Sequence, residues 1–253
     1  MLVLALSWGL YTLLPVPGGF GVVSLESPAG RIVMYAKQFS PSIVGLLVLA
    51  VAFGRRGRRH LLGVALNWRA PIRWYVLTIV AFPMLMLGTT WLAASASGEP
   101  FLATDTVSVL TTLTVCLLGP VGEELFGWRG IALPLLVTRL GDLSAAAVLG
   151  VIWALWHVPP WVTPSGGIPL LSLLPGLVFG ASLSVLMLYV YRRSGSALLA
   201  GVGVHVVHNT SAFVVNGAVW MGAFCLILIA VGVAVRYAVR LRRRRRPAGH
   251  GPE

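Results

Sequence analysis

The chain has 253 residues, of which 57% are hydrophobic and only 10% charged, with a mean hydropathy of +0.88. Soluble domains carry ~25% charged residues, so this composition excludes an ordinary water-soluble globule. The net charge of +12 does not point to nucleic acid, because the arginines stand in short blocks beside apolar stretches.

Read from the N-terminus, apolar stretches long enough to cross ~30 Å of hydrocarbon recur along the whole chain. They predict about eight spans, at roughly 2–23, 41–54, 73–95, 106–137, 143–160, 168–191, 196–214 and 216–238. The first, MLVLALSWGLYTLLPVPGG, has no basic n-region and reads as a span rather than a cleaved signal. The second is short and has room to begin earlier, near Met34. The expected fold is all-α, a polytopic transmembrane helical bundle forming one integral membrane domain over residues 1–253, with a polar catalytic centre inside the bundle.

The arginine blocks set the orientation. They are Arg55, Arg56, Arg58 and Arg59, then Arg192 and Arg193, then Arg236 through the run Arg242–Arg246. Placing them in the cytoplasm makes both termini cytoplasmic and turns the loops at 24–40, 96–105 and 161–167 outward. A basic tail over about 239–253 then suits anionic lipid. The inner segment 55–73 mixes arginines with Leu61, Leu62, Val64, Leu66 and Trp68, and reads either as an interfacial amphipathic helix or as a solvated loop. Cys116 and Cys225 lie in expected spans without metal spacing, as buried structural thiols do.

Five of the seven acidic residues fall in expected loops or ends, but Glu123 and Glu124 sit inside the fourth span. A carboxylate near the bilayer midplane costs at least ~2.5 kcal/mol, so an adjacent pair needs a reason to be there. Arg129 is near enough in sequence to neutralise one glutamate, and the other is then free to act as a general base. Gly119-Pro120, Pro134 and Pro159-Pro160 punctuate the spans where a site needs irregular backbone. Gly127 and Gly130 leave room for a neighbouring helix. Trp153 and His157 are four apart and share a helix face, as do His205 and Asn209, whereas His208 lies on another face. His205 with Asn209 offers an oxyanion clamp or half of a metal site. A glutamate pair, a histidine and His-x-x-x-Asn on three spans point to one convergent polar centre.

GEELFGWRGIALP, IWALWHVPPW and YRRSGSALLAGVGVHVVHNTS, in that order, resemble the three motifs of the CPBP family: membrane-embedded type II CAAX prenyl endopeptidases and their bacterial relatives, also called Abi proteins. The family pattern is Glu-Glu-x-x-x-Arg, an aromatic-x-x-x-His, then His-x-x-x-Asn. The second motif here is Trp153 to His157, with Trp for the commoner Phe, and the third is His205 to Asn209. The resemblance covers about residues 40–214. The first motif departs from the pattern, since four residues, Leu125 to Trp128, separate Glu124 from Arg129 instead of three. A one-residue insertion accommodated as a π-bulge reconciles the two.

By this resemblance the chain is expected to be an intramembrane endopeptidase, acting on a peptide or membrane-protein substrate within the lipid bilayer, with relatives in bacteriocin processing and immunity. Glu123 or Glu124, with Glu123 preferred, deprotonates water with the help of His157, while His205 and Asn209 stabilise the oxyanion. Arg129 and Trp153 support the site. The favoured chemistry uses no cofactor. The resemblance also allows zinc, held by Glu123, His157 and His205. If the protein is bacterial, its place is the plasma membrane. Two other classes compete: a transporter or channel using the same polar residues as an ion path, and a catalytically silent membrane scaffold. No internal inverted repeat is evident, and every motif residue type is present, which weighs against both. The sequence does not give an oligomeric state.

Overall fold

The computed structural model describes residues 1–14, 21–24, 27–98, 101, 116–158, 170–214 and 229–237. Among these the chain is helical, with no strand. The tail after residue 238, Cys225, Pro159-Pro160 and parts of the fourth and eighth expected spans lie outside the described residues.

The first helix, α1 (Leu2–Tyr11), has 10 residues. At 1.5 Å per residue it is about 15 Å long, half of what a span needs. The chain then folds back, with Val23 N–H donating to Leu13 O at 2.9 Å. The expected span over 2–23 is therefore not one continuous helix. Pro15 and Pro17 follow the helix, and neither supplies the backbone donor that continuation requires.

The stretch 24–40, expected as an outer loop, is helical over most of its length. Ser27 caps α2 (Pro28–Gln38) by accepting from Gly30 N–H at 3.0 Å, and Pro28 occupies a first-turn position where its fixed φ suits a helix. Phe39 separates α2 from α3 (Ser40–Ala52), and the two helices meet at a bend of 60°, a broken span or a re-entrant loop. The inner segment proves to be an amphipathic helix, α4 (Arg55–Ala65). Leu61 and Ala65 are buried on one side, and Arg55, Arg56, Arg58 and Arg59 are exposed.

The third expected span is a 26-residue helix over Ile72–Ser97. It consists of α5 (Ile72–Val76), a π-helical turn (Leu77–Ala81) and α6 (Phe82–Ser97), and ends at Gly98 with φ 74°. Residues 116–123 are α-helical and run into a nine-residue π-helix, Glu124–Ala132, and then α7 (Leu133–Leu140). After Gly141 come α8 (Asp142–Trp156), α9 (Leu170–Arg193) and α10 (Leu198–Val214). Among the described residues two helices, Ile72–Ser97 and Leu173–Arg193, are long and apolar enough to cross a membrane, or three spans if the bent α2–α3 pair counts as one.

The packing turns apolar side chains outward and buries charge, the distribution that suits hydrocarbon surroundings. Val51, Ile79, Met84, Trp91, Leu92 and Leu174 are among the large apolar side chains turned outward, while Glu123, Glu124, Arg129 and His205 are buried. The core gathers Trp128, Trp153, Trp156, Leu149, Leu183, Leu186 and Met187. Glycine lets α8 and α9 approach closely: a Cβ on Gly150 would stand 2.3 Å from Gly180 O.

Candidate active site

The π-helix decides the geometry of the first motif. Glu124 and Arg129 are five positions apart in sequence, one more than the four that bring side chains together on an α-helix. A π-helix repeats at i→i+5, so the extra residue is absorbed and the pair meets on one face. Arg129 Nη1 donates to Glu124 Oε1 at 2.7 Å and to Oε2 at 2.9 Å, and both side chains are buried. The two small residues expected for packing have different reasons. A Cβ on Gly127 would lie 2.6 Å from Pro41 of α3, whereas one on Gly130 would lie 1.6 Å from the Leu125 carbonyl of the same π-turn.

Glu124 also faces α10. His205 Nδ1 lies 2.9 Å from Glu124 Oε1. A carboxylate already paired with a guanidinium is an acceptor, so Nδ1 carries the proton and donates. His205 Nε2 is left buried without a hydrogen-bond partner among the described residues. Glu123 is held differently, by neutral donors. Gln38 Nε2 donates to its Oε1, and Trp153 Nε1 donates to its Oε2 at 3.4 Å. Glu123 and Glu124 are 1% and 0% exposed, so neither carboxylate has bulk water to solvate it.

Trp153 joins the remaining parts. Its indole stands edge-on between His157, at 4.5 Å between ring centroids, and His205, at 5.0 Å. His157 closes α8, and its Nδ1 lies 3.0 Å from the Trp153 carbonyl. A carbonyl only accepts, so this nitrogen donates and Nε2 keeps its lone pair. His208 turns to Phe179, 4.6 Å away. Asn209 is half-buried on α10, one turn beyond His205, and its side chain makes no hydrogen bond to a described residue. The structure thus brings Glu123, Glu124, Arg129, Trp153, His157 and His205 into one connected group from three parts of the chain. Asn209 stays one helical turn from His205, without a hydrogen-bond partner among the described residues.

The sequence reading missed the contribution of the α2–α3 bend. Lys37 and Gln38 fall in what was expected to be an outer loop, yet Gln38 holds Glu123. Lys37, 6% exposed, places its ammonium 3.9 Å over the Trp156 ring. Trp156 donates to Ser40 Oγ at 3.3 Å, and Ser42 Oγ donates to Gly122 O. One signal was available. Of nineteen basic residues, Lys37 is the single lysine.

The zinc ligand set Glu123, His157 and His205 is not the set the geometry assembles. The donors that converge are Glu123, Glu124 and His205, with ligand atoms within 4.8 Å of one another, and His157 is not among them. Glu124 is already engaged by Arg129 and by His205 Nδ1, and Glu123 by Gln38 and Trp153, while His205 Nε2 is unspent among the described residues. A dication here would share the Glu124 carboxylate with the Arg129 guanidinium.

Residues 105–211 match the family model described as Type II CAAX prenyl endopeptidase Rce1-like. The family resemblance carried by the three motifs is thereby shown for this stretch. The Rce1-like stretch contains Glu123, Glu124, Arg129, Trp153, His157, His205 and Asn209, while Lys37 and Gln38 lie outside it. It supports protease as the enzyme class and, with the apolar helices, membrane as the setting. No curated protein matches the chain.

Proposed function

We propose that this protein is an intramembrane endopeptidase in which Glu123 is the general base. The observation that carries the choice is the division of labour within the pair. Glu124 is neutralised by Arg129 and occupied by His205, whereas Glu123 receives only amide and indole N–H donors and keeps its basicity. A water on Glu123 gives it a proton, and the hydroxide oxygen bonds to the scissile carbonyl carbon, whose oxygen becomes the oxyanion. Collapse breaks the C–N bond, and the leaving amine takes the proton back from Glu123, with His157 Nε2 as relay. Asn209 and His205 receive the oxyanion. His205 needs protons on both nitrogens for this, and the Glu124 carboxylate on Nδ1 stabilises that imidazolium. The proposed substrate is a membrane-borne peptide or protein segment, with both termini of the enzyme in the cytoplasm and, in a bacterium, the plasma membrane as its place.

The test is Glu123→Gln in the full chain, reconstituted in liposomes with membrane-peptide libraries as substrate. Loss of a general base lowers the rate by ~10²–10⁴ without changing side-chain shape, so hydrolysis should vanish while the fold is kept. Undiminished hydrolysis by Glu123→Gln removes this reading.

A further inference from the structure

Lys37 has no role in the chemistry described so far. The ammonium ends α2, one residue before the glutamine that holds Glu123, and sits on the indole next in sequence to His157. The Trp156 and His157 rings are 4.6 Å apart, so Lys37 stands beside the proposed base and its relay together. It is close enough to feel the charge of Glu123. Yet it makes no ion pair and no hydrogen bond among the described residues, and the π-face of Trp156 satisfies the charge without using an N–H donor. The donors that Lys37 would supply to Glu123 are already supplied, one to each oxygen, by Gln38 and Trp153. The side chain is buried for most of its length while its N–H donors stay unspent among the described residues, and a chain that otherwise uses arginine throughout has placed its one lysine here.

We propose that the Lys37 ammonium is an anion-receiving group of this centre, held ready for an anionic oxygen of the bound peptide. The inference rests on the peptidase reading for the identity of the ligand. Two oxygens have the right chemistry, the oxyanion of the tetrahedral intermediate and a carboxylate at the peptide's own C-terminus. In either case the anion takes up the N–H donors that the tryptophan face leaves free.

The experiment uses full-length protein in liposomes and two quenched fluorescent apolar peptides, identical except that one ends in a free acid and the other in an amide. Lys37→Met should lower kcat/KM tenfold or more, and Lys37→Arg should recover most of the loss. A fall in kcat on both peptides assigns the oxyanion, and a rise in KM confined to the acid peptide assigns the terminal carboxylate. Unchanged constants for Lys37→Met overturn the proposal. So does full recovery of that variant at raised pH, which would make Lys37 no more than a counter-charge for Glu123. Equal inactivity of the Met and Arg variants with lowered thermal stability also overturns it, as a purely structural role. Equilibrium binding of the two peptides in the Glu123→Gln background separates this inference from the general-base reading. Should Glu123→Gln still hydrolyse peptide, that reading falls, while weaker binding of the acid peptide after Lys37→Met still establishes the anion site.

Discussion

Glu124 and Arg129 stand five residues apart and are joined by hydrogen bonds of 2.7 and 2.9 Å, a contact that a π-helix permits and an α-helix of the same sequence does not. Both groups are buried, so breaking the pair strands a charge. Arg129→Met and Glu124→Gln should each cost ~3–5 kcal/mol of stability. Arg129→Lys should recover only part, because an ammonium does not reproduce the planar guanidinium fork. Thermal unfolding in detergent checks this, with Glu123→Gln expected near wild type. If Glu123→Gln is instead the destabilised variant, the roles assigned to the two glutamates are exchanged.

Gly130 is the second test of the π-turn. A Cβ there would collide with the Leu125 carbonyl at 1.6 Å, so Gly130→Ala must open the turn that brings Glu124 to Arg129. The expected loss is at least the ~1–3 kcal/mol typical of overpacking, accompanied by loss of hydrolysis. Gly63, on α4, has nothing within 4 Å of an added Cβ. Gly63→Ala should be neutral or stabilise by up to ~1 kcal/mol, and is the control.

Trp153 makes two separable contributions, a ring between two histidines and an N–H to Glu123. Trp153→Phe keeps the first and removes a hydrogen bond whose length of 3.4 Å marks it as weak. Stability should fall by about 1 kcal/mol or less, with activity within tenfold of wild type. Trp153→Ala removes both and should cost ~3–5 kcal/mol. Equal damage from the two substitutions would show that the indole N–H, not the ring, is what the site needs.

The arginine blocks predict an orientation. A reporter fused after Arg246 should be active on the cytoplasmic side, and one inserted near Ser165 on the outer side. A C-terminal reporter found outside would overturn the cytoplasmic placement of the arginine blocks, from which both expectations come.

What the sequence determined by itself was whatever depends on residues close together along the chain. Hydropathy is summed locally, so the all-helical membrane character and the helix over Ile72–Ser97 were legible. So were the glutamate pair, the Trp153–His157 and His205–Asn209 spacings, and the inserted residue that becomes a π-helix, because each is a count of positions. The first span was misjudged because its prolines weigh little in a hydropathy sum yet end a helix outright. Only the tertiary structure decided which glutamate goes to which partner. Gln38 reaches Glu123 across 85 positions and His205 reaches Glu124 across 81, and nothing in either local sequence encodes that meeting. The bend at Phe39 that carries Lys37 and Gln38 to the site was hidden for the same reason. A polar pair beside an apolar stretch reads as a loop until packing against the glutamate-bearing helix gives its charge and amide somewhere to go.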